Sequence, residues 1–230
     1  LPWTVALAIN IAPGVILDFG PLTHTFLNNF TNNGTVFSSG ELRFTPIPPY
    51  SSGSTVTLDA AGGNFTSTGK VVFGGNQTLT ILNNNPTFTD VDITSVNASG
   101  INPPTDWTIG QNLYIAPTSI FNAGSGFYHE IVGDLTNNGT LNGETSTIAF
   151  MGPTSSINGL GTDYLYGLRI DIAADLTLNK SIYILQNLIN NGIFTTQGRK
   201  VTFFGTENST INGIAGSVSF SDLTQNKTGG

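Results

Sequence analysis

Asp134-Leu135-Thr136-Asn137-Asn138-Gly139-Thr140-Leu141-Asn142-Gly143 carries the motif on which the fold turns: an Asn-Asn-Gly turn that leads into a strand-like segment ending at Phe150. The same turn returns at Asn32-Asn33-Gly34, ahead of Phe44, and at Asn190-Asn191-Gly192, ahead of Phe203. The copies are 105 and 53 residues apart, the first spacing close to double the second, as in a tandem array with one degraded unit. A second alignment supports the repeat. Asp106-Trp107-Thr108-Ile109 with Leu113-Tyr114-Ile115 matches Asp175-Leu176-Thr177-Leu178 with Ile182-Tyr183-Ile184, every position shifted by 69.

Outward from these motifs, strand-like triplets recur at 42–44, 56–58, 71–73, 91–93, 113–115, 148–150, 182–184 and 201–203. Clusters of Gly, Asn, Ser and Pro separate them, and no window holds an apolar stripe at helical spacing. The expectation is an all-β chain, a parallel β-helix or solenoid of short stacked strands whose turns use Asn and Gly for left-handed backbone. Tandem β-sandwich domains are the alternative, in which each Asn-Gly would be a hairpin turn. In-register recurrence of the motifs favours the solenoid.

Composition fits stacked strands. Charged residues make up only 9% of the chain, against roughly a quarter in ordinary domains. Asn, Thr, Ser and Gly take their place, and such residues stack on like neighbours without charge repulsion. A formal charge of −7 argues against nucleic acid or an anionic membrane as partner. The absence of Cys excludes disulfides and thiolate metal sites.

Residues 1–22 are read as an N-terminal capping or pairing strand segment, since Val5, Leu7, Ile9 and Ile11 alternate with Thr4, Ala6, Ala8 and Asn10. Pro2 and Pro13 and the lack of a preceding basic residue argue against a signal peptide or membrane span there. Residues 23–230 are read as the solenoid repeat region. The final Asn226-Lys227-Thr228-Gly229-Gly230 has the character of a turn before another unit, which reads as an excerpt of a longer chain.

The strings Phe30-Thr31-Asn32-Asn33-Gly34-Thr35, residues 134–143, Ser209-Thr210-Ile211-Asn212-Gly213 and residues 220–230 resemble the low-charge repeats of large secreted surface adhesins of Bacteroidota. That group includes the long filamentous adhesin of gliding motility, exported by the type 9 secretion system. The resemblance implies an extracellular, cell-surface structural or adhesive module. Segment 46–50 interrupts its pattern, and no C-terminal sorting domain is recognisable.

Candidate chemistry is sparse. Asp90 with Asp92, on one face of a strand, and Asp171 with Asp175 are the available carboxylate pairs, as calcium or acid/base chemistry on a β-helix would require. Neither has the basic neighbours of a lyase site, and a solvent face is the favoured reading. His24 and His129 are the only histidines, with no Gly-x-Ser-x-Gly elbow, and are placed on the surface or in turns. Gly62-Gly63 and Gly74-Gly75 lack a following Lys and helix, so they are turns rather than phosphate loops. Phe44, Phe73, Phe150 and Phe203 are assigned to the core as equivalent repeat positions. Trp3, Trp107, Tyr50, Tyr128 and Tyr164 fall outside that series and are candidates to stack on carbohydrate.

The sequence therefore predicts a non-enzymatic spacer without catalytic, cofactor or metal residues. Its expected partners are neighbouring repeats of the same polypeptide and surface polysaccharide. A carbohydrate-binding or carbohydrate-processing β-helix is one alternative. A fibre or pilus-like subunit, assembling by strand addition through Val5–Ile11, is another.

Overall fold

The structure, a computed structural model, describes residues 1–46, 54–58, 63–75, 79–82, 86–214 and 218–228. Period-two alternation builds the same kind of element throughout. In the strand Asp90–Ser95, for example, Val91, Ile93 and Ser95 are buried while Asp90, Asp92 and Thr94 are half-buried. Strands of this length cannot stand alone. They stack instead as about ten coils of a parallel β-solenoid, each coil hydrogen-bonded to the one before and the one after, with no helix among the described residues.

Each coil contributes to three faces. The first face is an eleven-stranded sheet from Thr4–Val5 through Leu42–Phe44, Asp90–Ser95 and Leu135–Asn137 to Val218–Ser219. The second runs from Ile9–Ile11 to Asp222–Lys227, and the third from Ile16–Asp18 to Thr210–Gly213. Two long strands, Thr162–Ile170 and Ile182–Asn190, pass from the second face to the third without a break. At about 4.8 Å per coil the ladder is on the order of 50 Å long. Every expected strand triplet falls within one residue of a strand. The hairpin reading of Asn-Gly fails because the described pairings are parallel.

The interior changes character along the axis. Phe26, Phe44 and Phe73 stack on neighbouring coils with ring centroids 5.2 and 5.8 Å apart. Phe88, Trp107 and Phe121 continue the aromatic packing, and in the later coils Leu135, Ile157, Leu176 and Leu188 add aliphatic layers beside the buried Phe150, Phe194 and Phe203. Phe44, Phe73, Phe150 and Phe203 are all buried, as expected. Residues 4–18 form the first coil. The alternation at Val5–Ile11, read as one strand, is split by a corner into Thr4–Val5 on the first face and Ile9–Ile11 on the second.

The repeat itself needs correction. Asn32 ends a strand of the second face, Asn137 one of the first and Asn190 one of the third, so the three motifs mark three different corners. The 69-residue alignment is likewise a one-face rotation: Thr108–Ile109 lies on the third face, whereas Thr177-Leu178 lies on the first. Phe44, Phe150 and Phe203 also lie on separate faces, and only Phe44 and Phe73 share a column. What recurs is a corner.

That corner is a two-coil device. In the lower coil a four-residue turn closes with a backbone hydrogen bond, from Val15 N to Ala12 O, Ser119 N to Ala116 O or Ala174 N to Asp171 O, each 3.1 Å. Gly14, Thr118 and Ala173 take positive φ at the third position of these turns. The coil above crosses the same corner with only two residues. Asn137 and Thr140 pair with Ile115 and Ile120, which leaves 138–139 above 116–119. Residues 33–34 above 12–15 and 191–192 above 171–174 repeat the arrangement. The first Asn of each motif accepts a hydrogen bond at Oδ1 from the Gly N–H, at 3.0, 2.8 and 3.3 Å for Gly34, Gly139 and Gly192. The glycines are required by proximity, not by left-handed φ, because a Cβ on Gly139 would collide with the carbonyl oxygens of Ser119 and Ala116.

Candidate binding surface

Three of the four sequence-predicted carboxylates, Asp90, Asp92 and Asp171, are engaged in the scaffold. Asp90 begins a side-chain ladder along one edge of the first face: its Oδ1 accepts from Asn112 N (3.1 Å) and Nδ2 (2.9 Å). Asn112 Oδ1 accepts from Asp134 N at 2.9 Å, and Asp134 Oδ1 from Ser156 N and Oγ at 2.8 and 2.7 Å. Asp92 pairs with Lys70 of the preceding coil at 2.9 Å, which raises the lysine pKa. Asp171 accepts from Ile172 N (2.9 Å) and Arg169 Nη2 (3.0 Å), and both lower its pKa. Asp175 lies beside Asp134 and Ser156 in a shallow polar groove. Among the described residues no three His, Asp or Glu side chains are placed to hold a metal ion.

Both histidines and one tryptophan depart from expectation. His24 and His129 are buried, at 3% and 2% exposure, and Trp107 is fully buried against Phe73, Phe88 and Phe121. Trp107 therefore presents no face to a ligand. The histidines lock consecutive coils together. Trp107 N donates to His129 Nδ1 (3.1 Å), which leaves Nε2 to donate to Ala123 O (2.7 Å). Trp3 N, His24 and Phe19 O repeat this at 3.2 and 3.0 Å. Burial lowers the pKa of His129.

Asp163 is a buried charge that the sequence reading missed. The inward column of the second face runs Ile101, Phe121, Leu141 and then Asp163, 1% exposed. Its Oδ2 lies 2.7 Å from Lys180 Nζ, one coil above, and its Oδ1 accepts from Asn137 Nδ2, one coil below, at 2.7 Å. Lys180 Nζ also donates to Gly161 O at 2.6 Å. Burial raises the Asp163 pKa against the opposing pull of Lys180. The clue was parity: Asp163 alternates in phase with Leu165, an inward position.

The remaining predicted aromatics divide by position. Tyr50 lies outside the described residues, and Tyr128 is half-buried. Trp3 is 47% exposed but packs edge-on against Phe19 and His24. Tyr164 is 38% exposed and does not stand alone. It is in register with Tyr183 on the next coil, 40% exposed, and their centroids are 5.5 Å apart. Phe204 closes the group at 5.6 Å from Tyr164 and 5.7 Å from Tyr183. Tyr164 and Phe204 border a shallow depression of about 460 Å³ together with Asn142, Glu144 and Leu185, and Tyr183 packs against both rings beside it. Asn142 belongs to the same outward column, below Tyr164. An amide ladder approaches from that side, with Asn142 Nδ2 donating to Asn122 Oδ1 and Asn122 Nδ2 to Asn102 Oδ1, each at 2.8 Å. One column of the second face thus passes from stacked amides to stacked aromatics.

Comparison with protein-family profiles, with curated protein sequences and with solved structures gives no match to this chain.

Proposed function

We propose that this chain is a stiff structural module of a large secreted surface protein, a spacer within a cell-surface filament or adhesin that serves attachment or gliding motility. The observation that carries the reading is continuity: the first face is one unbroken eleven-stranded parallel sheet. Side-chain ladders at residues 90, 112, 134 and 156 and at 102, 122 and 142 reinforce it. In such an array every coil contacts only its neighbours, so length and stiffness grow coil by coil. Mostly neutral ladders keep stacked side chains from repelling one another. The resemblance to Bacteroidota surface adhesins supports the extracellular placement and repeats of the same polypeptide as partners. No catalytic cycle belongs to this reading.

The test is an immunoblot of the source cells, intact and with or without external protease, using an antibody raised to this chain. A very large species that disappears on protease treatment is the expected result. A discrete, protected species of this chain's own mass would overturn the spacer.

A further inference from the structure

We propose that the second face carries a binding site for a neutral polysaccharide, seated on the rings of Tyr164, Tyr183 and Phe204 and extending along the axis over Asn142, Asn122 and Asn102. This assignment names a ligand class and does not depend on the spacer reading.

The argument begins with what surrounds the rings. The outward column that leads to the platform consists of amides, and after Tyr183 it continues with Thr202 and Thr224. Two tyrosines in consecutive positions of that column hold flat apolar surface in water without burying it in the core. Phe204 fixes their orientation from the side. A sugar ring offers a face of C–H groups to such a surface and a rim of hydroxyls to nearby polar groups. Asn142 supplies the rim contact at the junction: its Nδ2 is committed to Asn122, while its Oδ1 has no protein donor among the described residues. In the ladder below, the Nδ2 groups of Asn122 and Asn102 are committed to protein acceptors, so each amide offers a hydroxyl only the second lone pair of its Oδ1, at one-coil intervals.

Charge narrows the ligand. Glu144 is the charged group lining the depression, so a polyanionic glycan would be repelled. The basic residues nearby are engaged: Lys200 faces Asp222 at 3.5 Å, and Lys227 Nζ donates to the carbonyls of Leu185 and Phe204 at 2.5 and 2.8 Å. Area argues against a second protein as occupant. A fully buried aromatic covers roughly 150–250 Å², so rings about 40% exposed offer on the order of 60–100 Å² each. The platform as a whole stays well below the ~800 Å² per partner of a stable protein interface. It is the right size for a few stacked sugar rings.

Native gels cast with a soluble neutral β-glucan, a galactomannan or an arabinoxylan, with alginate as the anionic control, would read the interaction. The expected result is retardation of the wild-type chain by at least one neutral polymer and none by alginate. Tyr164→Ala and Tyr183→Ala should each weaken retention about tenfold, whereas Tyr164→Phe keeps it. Circular dichroism and melting establish that each variant is folded. Tyr183→Leu, which keeps the apolar contact with Phe204 but lacks the flat ring, replaces Tyr183→Ala if the latter unfolds. No retardation in any neutral gel, retention unchanged in the folded Tyr183 variant, or retardation by alginate alone would overturn the site. A dimer in sedimentation velocity that Tyr183→Ala dissolves would reassign the platform to a second copy of the chain.

Discussion

His129 receives a hydrogen bond from Trp107 N at Nδ1 and gives one to Ala123 O from Nε2, so both ring nitrogens are used only in the neutral form. Burial lowers its pKa below the ordinary histidine value of 6.5, and the sign of the pH effect follows. Above pH 6.5 the imidazole is neutral in folded and unfolded chains, and the stability it confers is fully present. As pH falls from 6.5 towards the folded pKa, the unfolded chain takes up a proton that the folded one refuses, and stability declines. Below the folded pKa both states are protonated and this residue adds no further loss. Urea unfolding of the wild type and of His129→Gln between pH 7.5 and 5 should therefore give a difference in stability that shrinks as pH falls, by no more than about 1.4 kcal/mol per pH unit. A difference that stays constant would show that the residue does not titrate in this range. The sequence placed both histidines on the surface or in turns because a lone His has no preferred depth. The hydrogen bond that internalises His129 comes from a residue 22 positions earlier, in another coil.

Corners and charged clamps hold these short strands in register, and each makes its own prediction. Gly139 lies over the Ala116–Ser119 turn, and its missing side chain is what lets a two-residue corner cross a four-residue one. Gly139→Ala should cost about 2–3 kcal/mol in urea unfolding, since the atoms it meets are backbone that cannot swing aside. Thr118, in the turn beneath, is a β-branched residue at φ 67°. Thr118→Asn should raise stability by about 0.5–1 kcal/mol, because Asn tolerates that conformation. If Gly139→Ala is neutral, the corner is not close-packed. Three coils meet at Asp163, where Lys180→Met strands a buried carboxylate and should cost about 3–5 kcal/mol. The double variant Asp163→Leu/Lys180→Met restores the apolar column and should return to within about 1 kcal/mol of wild type. The sign for Asp163 is opposite to that for His129: its raised pKa makes its own contribution greatest below the unfolded value of 3.8 and lost as pH rises through the folded one. The corner motif was legible in the sequence, since Asn-Asn-Gly must end a strand wherever it occurs. Its face was not. The three faces use the same alternation of apolar and Thr or Asn residues, so an alignment shifted by a third of a coil matches as well as one shifted by a whole coil.

Over the whole molecule, stability is distributed rather than central. Strand ladders run parallel to the axis, and a coil touches only the coils beside it, so removing one end leaves the contacts of the other unchanged. This separates the solenoid from a β-sandwich, in which strands distant in sequence share one core and loss of an edge disturbs all of it. Ending the chain after Thr195 removes the strands Lys200–Gly205, Thr210–Gly213, Val218–Ser219 and Asp222–Lys227. The truncated chain should keep its β circular-dichroism spectrum, and its urea m-value should fall roughly in proportion to the length removed. Amide exchange supplies the spatial readout. Protection in His24–Phe26, Leu42–Phe44 and Lys70–Gly75 should be unchanged, while Ile182–Asn190 and Ile193–Thr195, newly at the end, should lose protection. Loss of protection along the entire chain would mean that the coils fold as one cooperative body. A spacer built from them would then yield all at once under load instead of shedding coils from its end.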